Sequence, residues 1–233
     1  MNGTIISRLR GPWGVPVEID QSILFLAGLL IYLGLGGGIL DAAILCVVLI
    51  GSIYLHELGH AWGCRVQGVP VRRVVLHGGG GFCERAATAT PREEELIVAM
   101  GPLVNLALWA LAGLLIWALQ VFLVANPGVG FGSMWLVMEV FGILSLVATI
   151  NFALFVFNLI PVQPLDGGKL FQLFLMRIMG RRSAHRVAGA VGLVAAVLWI
   201  PAAIWVFVTY GFILFFFPSI KGHYRMMKGD LVF

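Results

Sequence analysis

Long apolar runs separated by short polar breaks dominate this chain. They cover residues 23–40, 42–64, 96–124, 133–157 and 187–217. A bilayer core about 30 Å thick needs roughly 20 apolar residues in a helix, so each of the first four runs predicts one span. The last run is too long for one untilted span and holds Pro201 near its middle. Proline removes a helical hydrogen bond, which predicts two short spans turning there, with one long kinked helix as the rival. The pattern therefore predicts an all-α polytopic membrane protein of about six transmembrane helices.

The breaks differ in kind. Gly36-Gly37-Gly38 and Asp41 make a tight turn, and Asn126-Pro127-Gly128 makes another. Residues 65–92 hold five arginines, the run Gly78, Gly79, Gly80 and Gly81, and the β-branched stretches Val69-Pro70-Val71 and Val74-Val75-Leu76. That composition predicts a strand–turn–strand unit, a small membrane-associated β-hairpin between the second and third helices. Thr90 and Glu93 have capping-box spacing, with Pro91 at the first helical position. Residues 158–168 carry two prolines and two glycines and must unwind the fourth helix. Such backbone is tolerated at membrane depth where protein buries it or it lines a cavity. Residues 169–182 alternate apolar and basic groups, as an amphipathic helix does.

Composition agrees. Of 233 residues, 60% are hydrophobic and 11% charged, and mean hydropathy is +0.99. Soluble domains hold roughly 45–50% apolar and about 25% charged residues. The length leaves no room for a separate soluble domain, so residues 1–233 are expected to form one membrane-embedded domain. Twelve arginines and three lysines cluster at the N-terminus, in 65–92, in 169–186 and in the tail, and none lies in 36–41 or 126–132. The positive-inside rule then puts both termini and the 65–92 loop in the cytoplasm. No basic stripe with interleaved aromatics suggests a nucleic acid partner. Cys46, Cys64 and Cys83 form no CxxC and no disulfide framework. Nothing near the N-terminus has the form of a cleavable signal.

One run contradicts its own setting. His56-Glu57-Leu58-Gly59-His60 lies near the C-terminal end of the second span. Ionisable groups in a span cost on the order of a few kcal/mol each and mark function by default. Residues four apart share a helix face, so His56 and His60 can bind one Zn²⁺ through neutral ring nitrogens. Glu57 flanks the metal and can take a proton from a water acidified to a pKa of about 7. A third protein ligand is needed. His77 lies in the glycine-rich loop, His185 and His223 look interfacial, and Glu139 lies in the distal part of its span. Asp166 sits on a turn between Pro164 and Gly167, on the same side as His60, and is favoured.

HExxH in the second span with Asn-x-x-Pro and Leu-Asp-Gly after the fourth resembles the site-2 protease family, the intramembrane zinc metalloproteases. Gly101-Pro102-Leu103-Val104-Asn105 and the glycine-rich loop are similar to further motifs of that family. The resemblance implies one zinc per chain on His56, His60 and Asp166, with Glu57 as general base and then acid. Asn158 would steady the substrate carbonyl or oxyanion, or else cap a broken helix end. Gly78, Gly79, Gly80, Gly81 and Asn105 would lie on the substrate side, the glycines as a strand edge for an unwound substrate or as a hairpin over the zinc pocket. Asn105 would pack the third helix near the site without itself being catalytic. No PDZ-like or CBS-like insert is present, so selection and regulation would fall to a membrane partner. The implied activity is hydrolysis of peptide bonds in or near transmembrane segments, in a prokaryotic plasma membrane with the active site toward the cytoplasm. The alternative is a non-proteolytic membrane zinc protein, a transporter or a binding-only homologue.

Overall fold

A computed structural model describes residues 4–34, 36–126, 134–210 and 216–230. In chain order the elements are β1 (Ile5–Arg10), β2 (Pro16–Asp20), α1 (Ser22–Gly34), α2 (Ile39–Val66), β3 (Val71–His77), β4 (Gly80–Arg85), α3 (Pro91–Ala125), α4 (Met134–Asn158), α5 (Asp166–Ile178), α6 (Arg181–Tyr210) and α7 (Ile220–Lys228). Among the described residues, α2, α3, α4 and α6 are long and apolar enough to cross a bilayer. Large side chains on them, such as Trp117, Val124, Trp135 and Trp205, are exposed. That is the outward face expected of helices solvated by lipid rather than water.

Two expected spans differ. The first run yields α1, 13 residues long, which at 1.5 Å per residue rises only about 20 Å. The glycine cluster ends it early, and Ile39 and Leu40 already belong to α2. The last run does not turn at Pro201, because α6 runs through it as one helix. In a long apolar helix the other backbone bonds outweigh the one that proline removes, and unwinding would expose polar backbone to lipid. Residues 211–215 of that run lie outside the described residues, as do Pro127 and Gly128 of the other break.

The described residues form two compact units, one up to Thr88 plus Met100–Phe155, the other Ala89–Ala99 plus Val156 onward. In the first, β3 and β4 are the expected hairpin, but both β-branched stretches fall in or beside one strand, and the turn is at Gly78-Gly79. The sheet is also larger than expected. The N-terminal residues add two strands in the order β1-β2-β3-β4, with β2 parallel to β3 and the other pairs antiparallel. Short strands with basic, exposed residues such as Arg8 and Arg10 carry too little alternation to announce themselves.

This sheet lies on the C-terminal half of α2. Val17 and Val74 pack on Ala61, ringed by Val15, Tyr54, Val71 and Cys83. Each fully buried valine contributes about 1.5–3 kcal/mol. A line of charges crosses all four strands. Arg8 Nε lies 3.0 Å from Glu18. Arg73 Nη1 lies 2.6 Å from Glu18, and its Nε donates to Glu84. Arg72 Nη1 donates to Glu84 at 2.9 Å.

In the second unit the capping box forms as expected, with Thr90 N donating to Glu93 Oε2 at 2.7 Å and Glu93 N to Thr90 Oγ1 at 3.4 Å. Helix α5 is amphipathic and packs Leu175 against Ala184, Ala188 and Met226 of α6 and α7. Lys169 and Arg177 of α5 pair with Glu94 and Glu95.

The Arg73 guanidinium hydrogen-bonded to Glu84 holds its carboxyl below the ordinary glutamate value. A depressed folded-state pKa stabilises the fold fully above the unfolded value of about 4.3, and the contribution is lost as pH falls through the folded value. Amide protection of β3 and β4, corrected for intrinsic exchange, is expected to hold from about pH 7 to pH 5 and to weaken below about pH 4. Glu84→Gln should lower the plateau and flatten the acid-side loss. An unchanged profile in Glu84→Gln would remove Glu84 from the sheet's stability.

Candidate metal centre

Toward its C-terminal end α2 buries small residues. Gly59, Ala61, Gly63 and Cys64 are buried there, together with Ser52, His56, Glu57 and His60. Small side chains let neighbouring backbone come close enough to enclose the three ionisable groups. At Gly59 a Cβ would stand 2.6 Å from Met100 O of α3.

Helical spacing brings the two imidazoles together. Their Nε2 atoms are 3.1 Å apart, and the rings stand edge to face with centroids 4.8 Å apart. Two nitrogens on a tetrahedral zinc, each about 2.05 Å away, would be about 3.3 Å apart. His56, Glu57 and His60 together offer ligand atoms within 4.8 Å of one another. Gly101 of α3 faces this pair. A Cβ there would stand 2.4 Å from His60 Nε2 and 2.6 Å from His56 Nε2. The donor chemistry, the nitrogen spacing and the room left by Gly101 all fit a zinc ion.

Strand β4 reaches Glu57. A Cβ on Gly81 would stand 2.6 Å from Glu57 Cγ and 3.0 Å from its Oε1, so the strand backbone lies against the carboxylate. The turn before it is tied down, with Gly78 N donating to Ser22 Oγ at 2.9 Å. Gly79 lies in that turn and Gly80 opens β4, the sheet's edge strand. His77 ends β3 half-buried, and burial lowers its pKa against the pull of Asp20. It is less solvated than a loop histidine.

Asn105 is fully buried. Its Oδ1 lies 2.6 Å from His56 Nδ1, and its amide nitrogen donates to Asn151 Oδ1 at 2.8 Å. Asn151 and Ser52 were not singled out in the sequence. The signal was available: an asparagine amid the apolar residues of α4 is costly unless it is hydrogen-bonded.

Asp166 and Asn158 belong to the second unit. Asn158 is the last residue of α4, and Asp166 is the first of α5, where the positive end of the helix dipole favours a carboxylate. Gly167 and Gly168 allow the preceding loop to fold back tightly, since a Cβ at either would meet backbone within 2.5 Å. His223 fixes this loop. Its Nε2 accepts from Gln163 N at 3.1 Å, and its Nδ1 donates to Ser219 O at 2.8 Å. His223 is fully buried and His185 nearly so. Both are enclosed by protein, His223 where α7 packs on α6 and His185 beside Gln172 of α5.

Comparisons with known proteins agree with this arrangement. The model of peptidase family M50 matches residues 44–201. A zinc metalloprotease, MJ0392, of Methanocaldococcus jannaschii is 26% identical over 79% of this chain and 50% of its own length. A putative zinc metalloprotease of Synechocystis, sll0528, is 30% identical over 78% of this chain and 47% of its own. A third, Rip3 of Mycobacterium tuberculosis, is 36% identical over 58% of this chain and 31% of its own. The chain thus spans about half or less of the length of these relatives. The solved structure of a site-2 protease from Methanocaldococcus jannaschii superposes with a TM-score of 0.57 at 21% identity, over 96% of this chain and 93% of that one, and so shares its fold. With a family match that runs through most of the chain, HExxH included, the protein is an integral membrane member of peptidase family M50.

Proposed function

We propose that this chain is an intramembrane zinc endopeptidase that hydrolyses peptide bonds in or next to the transmembrane segments of membrane proteins. The observation that carries the reading is the burial of His56, Glu57 and His60 together on a helix long enough to span a bilayer. His56, His60 and Asp166 hold one zinc. Support for Asp166 comes from its motif and from the clamped loop that presents it. Zinc bound there supplies Lewis acidity, polarising the scissile carbonyl and lowering the pKa of a water to about 7.

The chain's own residues do the rest. Glu57 takes a proton from the attacking water and later gives one to the leaving amine. Asn158 directs its amide at the developing oxyanion. The free side of β4 offers backbone donors and acceptors to an unwound substrate segment, by strand addition. Gly81 against Glu57 places that edge beside the base. Gly78, Gly79 and Gly80 keep the approach free of side chains. The two units act as one membrane-embedded domain in a prokaryotic plasma membrane. The termini and active-site side face the cytoplasm, as the lysine and arginine distribution favours. A membrane partner selects or gates the substrate.

The test uses the purified full chain in lipid nanodiscs with a single-pass substrate. Glu57→Gln is expected to keep one zinc per chain and lose about 10²–10⁴-fold in cleavage rate. His56→Ala and Asp166→Asn should weaken zinc retention. Cleavage at the wild-type rate by Glu57→Gln would end the proposal.

The two close-approach glycines separate metal from substrate. In Gly101→Ala the new methyl enters the space between the imidazoles, so zinc and cleavage should fall together. In Gly81→Ala it presses on Glu57, so cleavage should fall while zinc content holds. Zinc loss in Gly81→Ala, measured by metal analysis, would contradict the division of roles.

A further inference from the structure

Three buried polar side chains in the first unit have no part in the chemistry above. Ser52 of α2, Asn105 of α3 and Asn151 of α4 form a line that ends on a zinc-binding histidine. Asn105 and Asn151 have no exposed surface, and Ser52 is 5% exposed. From the far end, Asn151 Nδ2 donates to Val147 O at 2.9 Å and to Ser52 Oγ at 3.0 Å. Asn105 Nδ2 donates to Asn151 Oδ1 at 2.8 Å, and Asn105 Oδ1 lies 2.6 Å from His56 Nδ1.

The polarity of this line is forced. A backbone carbonyl can only accept, so Asn151 must turn its NH₂ toward Val147 O. Its Oδ1 then faces Asn105, and only an NH₂ can answer it. That leaves Asn105 Oδ1 toward the imidazole, so Nδ1 must carry the proton. A neutral imidazole protonated at Nδ1 has its lone pair on Nε2, and His56 Nε2 is the atom that faces His60.

We propose that Val147 O, Asn151 and Asn105 set the tautomer of His56, so that α4 fixes which ring nitrogen α2 offers to the metal. Asn105 and Asn151 are positioning residues. This replaces the expectation that Asn105 meets substrate. The proposal rests on the reading of His56 as a ligand.

Zinc affinity of the full chain in nanodiscs, by competition with a chromophoric chelator, tests it without reference to cleavage. Outer partners of ligating histidines are worth about 10–100-fold in metal affinity, and Asn105→Leu, of similar volume, should lose that much. A carboxylate still accepts from Nδ1 but turns its second oxygen to Asn151 Oδ1, so Asn105→Asp should lose less affinity than Asn105→Leu. The discriminating comparison is Asn151→Leu. It should weaken zinc about 3–10-fold in the parent, where it frees the Asn105 amide to turn round, and cost nothing further beside Asn105→Asp, which has no wrong orientation and loses an opposing oxygen.

With histidine-specific ¹⁵N labelling, the His56 ring of the full chain before zinc addition should be protonated at Nδ1. Asn151→Leu should give a mixture of tautomers. An equal cost for Asn151→Leu in both backgrounds would mark a packing role and overturn the proposal. So would wild-type affinity in Asn105→Leu, or a proton on Nε2. If His56→Ala retains zinc, the ligand reading falls and this inference with it. If His56→Ala loses zinc while Asn105→Leu does not, only the inference falls.

Discussion

A polar group inside an apolar span has no water to turn to, so the protein must supply every partner it needs. Leaving an amide or hydroxyl unpaired in such surroundings costs several kcal/mol, and a charge costs more. On α2 this constraint acts on consecutive turns, at Ser52, His56 and His60, with Glu57 beside them. Much of the first unit can be read as its solution. The neighbouring helices carry their own polar groups at matching heights, and Asn105 and Asn151 bring amides that both donate and accept. Each asparagine would be a liability on its own helix. Joined to Ser52, Val147 O and His56, they answer one another.

Close approach is the second requirement, since side chains as short as serine and asparagine meet at 2.6–3.0 Å only across closely packed helices. Small residues provide it. Gly59 meets the backbone of α3 at Met100, and Gly101 leaves the imidazoles room. On the other side of α2, Ala61 receives Val17 and Val74 of the sheet. The sheet has its own electrostatic reason to stay in register. Glu18 is buried and shared by Arg8 and Arg73, so a slip of one strand would strand its carboxylate. That register sets Gly81 against Glu57, and thus where the edge strand runs relative to the base.

What the sequence disclosed follows from which signals are local. HExxH states its own geometry, because i, i+4 on a helix is a fixed relation, and the apolar runs state their length. The hairpin and the capping box were legible for the same reason. The early end of α1 and the unbroken passage of α6 through Pro201 were not, since both depend on what surrounds the helix. Strand β2 was hidden because its partner β3 lies over fifty residues away, and β1, which pairs with β2, carries too little alternation to stand out. Asn151 was hidden differently: its meaning requires knowing that Asn105 faces it, and no spacing within α4 reveals that.

Read together, α2 and α3 show why the second motif has its spacing. His56 and His60 are four residues apart on α2, and Gly101 and Asn105 are four apart on α3, so each pair presents one helix face. The two faces meet at a single ring with two chemically different edges. Gly101 lies opposite Nε2, where a metal needs empty space. Asn105 lies opposite Nδ1, where a proton needs an acceptor. One turn of helix separates the two demands, as the width of an imidazole would require. A Gly-x-x-x-Asn facing a His-x-x-x-His is therefore a complement rather than a second, independent motif. The smallest side chain and an amide are what the two edges of His56 ask for.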